Sequence, residues 1–494
     1  MAASTLPASG SLAPRAPSPG VAPRGKPARS ASRALAAPPA SKRPRVHHPT
    51  GDLASPRSAI ATRAKVADPA DASTPATPTT SAIDAASIPV VSAAEVHARL
   101  AAAAHPRALD AFAAFYSSWT NCITTDPRAM VLPFDDHMVH RGHGVFDTAY
   151  VHEGRAYQLD RHLDRFIRST ESAKIPLLLL PRDDDDASED DDAPRGGGYA
   201  GTSPRVFDRD SLRAIILRTV AASGLRHAQV RFYAGAGPGG FALSQAECVR
   251  PTFYVVVTKC RAGPDPRVGA AVVTSPVPIK PPPFATVKSV NYLPNALVIE
   301  HARENRAEYG LWLTETGDVG EGPSMNVAFV TADGETLVTP PTSDVLAGCT
   351  MARAAELANE GKLASVGIAR AEARRVPVEE ARAAREAMLV GSVINCVPIV
   401  EWDGMKVGGN EQGTVENEPP KGTKEGEGAK EGDEGEGRQM RSATASGAAP
   451  PHAAGTPGPV ALALHDLLVR DFETNEAELA DVPYELFEDE RSDE

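Results

Sequence analysis

The sequence predicts a mixed α/β (α+β) protein of two packed domains, and three observations predict it. Helix-like and strand-like periodicities alternate along the chain instead of falling into blocks. Large apolar groups are confined to part of the 494 residues: no aromatic precedes Phe112, and none lies between Trp402 and Phe472. Chain without such groups cannot offset the entropy of ordering itself, so the core-forming part is 110–408 plus a C-terminal piece. Within it, RAGPDPR (261–267) has the proline, glycine and charge of a linker.

Residues 1–88 are expected outside the folded part. The first 51 residues contain no Asp or Glu but many Arg, Ser, Ala and Pro. That is the composition of an organellar transit peptide, plastid ahead of mitochondrion. A disordered tail, or a nuclear address at KRPR (42–45), would account for the same residues in a cytoplasmic or nuclear protein.

A small domain is expected over 106–262. A helix-like pattern covers Ala93–Ala114, and strands are expected at Ala129–Leu132 and Phe146–His152. Asp160 is the candidate cap of a helix with Leu163, Phe166 and Ile167 on one face. An acidic, glycine-rich run at 182–203 reads as a surface insert. Asp210 or Ser211 should cap a second helix carrying Leu212, Ile215, Ile216 and Val220, followed by strands Gln229–Ala234 and Thr252–Thr258.

After a linker at 263–268, a larger domain is expected over 269–408 and 458–485. Its elements are strand Ala270–Thr274, a helix from Pro294 to Glu304, strands Gly310–Thr314, Asn326–Thr331 and Leu337–Thr339, and a helix from Cys349 to Gly361. The low-complexity stretch 409–457 reads as a disordered insert, and an amphipathic helix is expected near Val460–Phe472.

The formal net charge of −13 argues against a nucleic-acid partner, which needs clustered Lys and Arg. Five cysteines without CxxC spacing suggest neither a metal site nor a disulfide framework. No run approaches the ~18 apolar residues of a membrane-spanning helix, so no membrane partner is expected.

Several residues could carry chemistry. Lys288, in KSVNYLPN (288–295), lies between apolar runs, where burial would free a neutral amine; alone, it reads as a surface lysine. Glu321, in a glycine turn, reads alone as exposed turn chemistry. Arg165 has arginines at i−4 and i+3, so an anion would have to reach it from elsewhere. In LAGCTMARA (346–354), Cys349 and Thr350 open a helix whose N–H groups offer an anion seat or an ordinary cap.

RGHGVFDT (141–148), LDRHLDRF (159–166), KSVNYLPN, EGPSMNVAFV (321–330) and LAGCTMARA occur in the order and spacing of class IV aminotransferases. The chain resembles that family, the fold-type IV pyridoxal-phosphate enzymes, over about 115–407 and again at 458–468. SWTNCITTDPRAM (118–130) and AGAGPGGFALS (234–244) look closest to the plant and algal D-amino-acid-transaminase-like branch. The resemblance implies a small N-terminal and a larger C-terminal domain with pyridoxal 5'-phosphate in the cleft between them, and a homodimer. It implies that Lys288 forms the Schiff base, Glu321 faces the pyridine nitrogen and Arg165 grips the phosphate. Cys349 and Thr350 would complete that grip, Leu346 would pack on the ring, and Ser392 would supply a phosphate-side hydroxyl. No metal is implied.

On the substrate side the chain departs from the family. Val139 and His143 stand where many members have an aromatic or leucine and an acidic residue, and GPGGF, ending at Phe241, replaces a carboxylate-binding arginine. His143, Phe146, Thr148 and Arg231 are the candidate substrate contacts. The leading function is transfer of an amino group from a D-amino acid to pyruvate or 2-oxoglutarate. Aminodeoxychorismate lyase, branched-chain aminotransferase and a non-catalytic scaffold are the alternatives.

Overall fold

The computed structural model describes residues 84–177, 207–260, 263–408 and 453–487. The proposed transit peptide, the 182–203 run and most of the 409–457 insert lie outside them. The unit Met1–Ser87 is described only from Asp84 onward, as a 3-10 turn at Ala85–Ser87. Everything below concerns the compact unit Ile88–Glu494.

The unit carries two sheets. The first draws on β1 (Phe112–Ser117), β2 (Cys122–Thr124), β3 (Gly144–His152), β4 (Arg155–Tyr157), β5 (Ala228–Gly235) and β6 (Thr252–Lys259). The second comprises β7 (Ala270–Thr274), β8 (Tyr309–Leu311), β9 (Asn326–Val330), β10 (Thr336–Thr339), β11 (Arg370–Ala373), β12 (Glu386–Gly391), β13 (Asn395–Trp402) and β14 (Met405–Lys406). The last strand, β15 (Leu479–Asp481), returns to the first sheet, giving the order β15-β4-β3-β5-β6-β1-β2, antiparallel throughout. The second sheet runs β11-β10-β9-β12-β13-β7-β8, with parallel pairs at β10–β11, β13–β7 and β7–β8.

In the first sheet alternation does the sorting. Val145, Ala149 and Val151 of β3 join Val230 and Phe232 of β5 in a core covered by α1 (Leu159–Ser172) and α2 (Arg209–Ser223). The second sheet is buried on both faces. Ala328, Val330, Met388 and Val390 face one core, while Val327, Phe329, Ala387 and Leu389 face the other. The first of these cores is closed by α4 (Cys349–Asn359) and α5 (Pro459–Thr474); α3 (Leu293–Glu304) packs by β8.

Some expectations need correction. The helix expected over Ala93–Ala114 is two helices, Ala93–Ala102 and Pro106–Ala111, because Pro106 opens a new first turn. Its last residues belong to β1. Ala129–Leu132 is not a strand: a 3-10 turn at Pro127–Ala129 ends there. The cap of α1 is Gln158, in the left-handed region at φ 52°, and Asp160 sits in the first turn. The cap of α2 is Asp208, which forms a capping box with Ser211. Strands β11 to β14 have no counterpart among the expected elements.

Candidate active site

The site begins with an open stretch of strand edge. β4 pairs with β3 only at Tyr150–His152, which leaves Gly144–Phe146 exposed on that side. The segment 288–290 fills it: Phe146 N donates to Lys288 O (2.9 Å), Val290 N donates to Gly144 O (3.0 Å), and Val145 bridges to Ser289. The strap between the sheets is thereby pinned, and the Lys288 side chain is fixed at a cleft between them. Its Nζ lies 4.8 Å from the centre of the Phe146 ring and 3.5 Å from Tyr292 Oη. Burial, with help from the Arg165 charge, pulls this amine down to about 8.

The cleft draws its lining from well-separated stretches of the chain. Arg165, Lys288, Glu321, Leu346, Cys349, Thr350 and Ser392 all line it. Residues far apart in sequence, with ordinary neighbourhoods, thus meet around one space.

At one end, α4 opens with Gly348 as its cap. No side chain caps it, and no acidic residue occupies its first turn, so its N–H groups and the positive end of its dipole point at the cleft. Gly348 must be glycine for space: a Cβ there would lie 1.9 Å from Asn326 Oδ1. Asn326 Nδ2 in turn donates to Leu346 O (2.9 Å), setting the turn before the helix. Thr350 Oγ1 and Ser392 Oγ are 3.2 Å apart, which closes this end with hydroxyls.

Arg165 reaches the same place from α1. Its Nη1 donates to Ala347 O (3.0 Å), while Nε and Nη2 donate to the two oxygens of Asp147 (2.8 and 2.7 Å). Asp147 is the anion that the helix lacked, and sequence reasoning missed it. Its position on β3 shares parity with Val145 and Ala149, so the strand aims it at the core, where His162 Nδ1 is 2.8 Å from Oδ1. Burial opposes its ionisation, yet Arg165 and His162 hold its carboxyl well below the usual range. Burial also opposes protonation of His162, and the charges of Cys349 and Asp147 outweigh it, holding the imidazole up at about 9. An acidic residue in an apolar strand, followed by His and Arg three apart on a helix, was the available signal.

Leu346 N donates to Glu321 Oε2 (3.2 Å), which brings a carboxylate into the cleft. Burial pushes Glu321 up to about 7, against the pull of Lys280. Tyr292, Lys280 and Asn295 also line the cleft and were not anticipated. Asn295 Oδ1 is buried without a partner and so offers an acceptor.

The candidate substrate contacts are more scattered. Phe146 lies under the Lys288 amine. His143 does not line the cleft; its Nε2 is 2.7 Å from Ala173 O. Thr148 and Arg231 face each other across β3 and β5, and Arg231 is exposed. Neither lines the cleft, although the Arg231 charge reaches Tyr292.

The model of the family described as "Amino-transferase class IV" matches residues 144–402. The chain belongs to the class IV aminotransferases. It is 44% identical over 329 residues to the chloroplastic D-amino-acid transaminase of Arabidopsis thaliana, covering 66% of this chain and 79% of that protein. It is 27% identical over 244 residues to the bifunctional aminodeoxychorismate lyase / D-amino acid transaminase of Mycobacterium tuberculosis, covering 47% and 74%. The branched-chain amino acid aminotransferase of Thermobaculum terrenum, solved in its PLP-bound holo form, shares the fold, with a TM-score of 0.53 at 18% identity over 76% of this chain and 99% of that one. The cofactor of this class IV aminotransferase is pyridoxal 5'-phosphate. The cleft fits it: an uncapped helix end and a guanidinium for a phosphate, a buried amine for an aldehyde, and a buried carboxylate for a ring nitrogen.

Proposed function

We propose that this aminotransferase moves the amino group of a D-amino acid to pyruvate or 2-oxoglutarate, with Lys288 as its catalytic residue. The observation that carries the site reading is the convergence of Arg165, Lys288, Glu321, Leu346, Cys349, Thr350 and Ser392 on one cleft. The substrate class rests on the 44% identity to a D-amino-acid transaminase.

When bound, the cofactor supplies an aldehyde that takes up the amino group and a ring that spreads the negative charge of the substrate Cα. Arg165 and the first turn of α4 hold its phosphate, with the hydroxyls of Thr350 and Ser392 beside them. Glu321, as an anion, would keep the ring nitrogen protonated. Leu346 would pack against the ring. Lys288, its amine about half neutral near pH 8, would be the group that bonds to that aldehyde and then takes and returns the proton at the substrate Cα. Phe146, beneath that amine, shapes the substrate side, with His143, Thr148 and Arg231 further out. Its proposed location is the plastid, by analogy with the chloroplastic relative, and the homodimer is carried over from the family resemblance alone.

A second reading, aminodeoxychorismate lyase, is favoured by the bifunctional relative. The full-length protein, reconstituted with pyridoxal 5'-phosphate, should be yellow, and Lys288→Ala should lose that absorbance band. Given D-alanine and 2-oxoglutarate it should form pyruvate and D-glutamate. Release of 4-aminobenzoate from aminodeoxychorismate, with no transamination, would replace the first reading by the second.

A further inference from the structure

One cation in the cleft has no part in the reading above. The charged groups lining it are Arg165, Lys280, Lys288 and Glu321. Arg165 and Lys288 both have work there, whereas Lys280 has none. Its position is nevertheless well defined. A Cβ on Gly320 would lie 2.5 Å from Ile279 Cδ1, so the bare glycine lets Ile279 settle against it. The residues that follow on the two segments, Lys280 and Glu321, both line the cleft. Pro281 to Pro283 then stiffen the strap as it enters the short helix Pro282–Ala285. Lys280 Nζ stands 5.3 Å from the centre of the Tyr292 ring, the same tyrosine whose hydroxyl is 3.5 Å from Lys288 Nζ. The two lysines therefore flank Tyr292 and do not compete for one place.

We propose that Lys280 is a positioning residue whose ammonium is the counter-ion that holds Glu321 ionised in the cleft. It acts on the cofactor only through that carboxylate, and so the inference rests on the reading of Glu321 as partner of the ring nitrogen. Three charges face Glu321, namely Lys280, Lys288 and Arg165, and the Leu346 N–H donates to it. Of these, Lys280 exerts the strongest pull toward ionisation. Lys288 gives up its free ammonium on binding the cofactor, and Arg165 is committed to Asp147 and the phosphate seat. Lys280 then remains as the side-chain cation not otherwise engaged beside Glu321. Burial works against its own charge, Glu321 supports it, and the face of Tyr292 adds a cation–π contact.

The test uses the full-length chain as parent, Lys280→Met, Lys280→Arg, Glu321→Gln and the Lys280→Met/Glu321→Gln pair, with Lys280→Gln in place of Met should that variant not fold. Difference infrared spectra of the cofactor-free proteins follow the protonated carboxyl band that Glu321→Gln removes. Absorbance against pH follows the chromophore after reconstitution with pyridoxal 5'-phosphate. The expected result is a Glu321 midpoint raised by about one pH unit or more in Lys280→Met, restored in Lys280→Arg. The change in the chromophore should vanish in the Glu321→Gln background. A midpoint unchanged in Lys280→Met overturns the inference, as does a chromophore effect of equal size with and without Glu321. A Glu321→Gln protein with the parental chromophore overturns instead the reading of Glu321 on which the inference rests.

Discussion

The residues of the cleft are held in states that the free protein does not favour. Lys288 has a folded pKa of about 8 against 10.5, so between those values the unfolded chain holds the extra proton and stability rises with pH. Below pH 8 the full cost applies, about 3 kcal/mol at ~1.4 kcal/mol per unit. Glu321 runs the other way: its folded pKa is raised from 4.5 to about 7, so stability falls as pH rises through that window. Cofactor-free Lys288→Met should therefore be more stable than the parent at pH 7, by ~2–3 kcal/mol in urea melts. Glu321→Gln should flatten the decline between pH 4.5 and 7 expected of the parent. The opposite is expected at Asp147. Asp147→Asn leaves Arg165 buried without its anion, which should cost ~3–5 kcal/mol and weaken cofactor binding in a titration. These two kinds of residue differ in legibility. Lys288, Glu321 and Arg165, which line one cleft, could be picked out because each sits in a motif with a fixed place in the family order. Asp147 sits in such a motif too, but its role depends on strand parity and on a helix face, which only the fold brings into register.

At the scale of elements, what matters is which ends point into the cleft. The first turn of α4 contributes backbone N–H groups, and a helix N-terminus is worth ~0.3–2 kcal/mol toward an anion. Gly348 keeps that turn pressed against Asn326. In Gly348→Ala the added Cβ, 1.9 Å from Asn326 Oδ1, must displace either the amide or the turn. Affinity for pyridoxal 5'-phosphate should then fall about tenfold or more, ~1.4 kcal/mol, while the far-ultraviolet circular dichroism stays parental. Helix α4 was legible because a glycine precedes an apolar-periodic run. Strands β12 and β13 were not: both faces of the second sheet are buried, so Glu386–Gly391 and Asn395–Trp402 show continuous apolar runs without the alternation that marks a half-exposed strand. The caps were misassigned for a related reason, since several polar residues near each helix start could serve and the chain's entry direction decides among them.

For the whole molecule, the decisive connection is the return of the chain after residue 452. Glu386 of β12 accepts from Val460 N and Ala461 N (3.0 and 2.9 Å), fastening the start of α5 to the second sheet. Near its end, Asp471 accepts from Arg353 of α4 (2.8 Å) and from Tyr157 of β4 (2.6 Å), so one carboxylate ties the helices on the second sheet to the first sheet. The strand β15 then completes the edge of the first sheet beside β4. These contacts hold the walls of the cleft in place, although none touches it. The two ends of the 409–452 stretch are already adjacent, with Gly455 N donating to Val407 O (2.9 Å). Loop closure costs only ~0.6 kcal/mol per doubling of length, so a short Gly-Ser link between 408 and 453 should leave stability within about 1 kcal/mol of the parent and cofactor affinity intact. Ending the chain at residue 408 should behave very differently. It strips Glu386 of two donors, takes the Asp471 carboxylate from Arg353 and Tyr157 and opens the β4 edge, and the product should neither bind cofactor nor melt cooperatively. Thermal melts and a cofactor titration on the two variants would separate these outcomes, and a truncated chain that still bound the cofactor would show that the sheets hold the cleft without the returning helix.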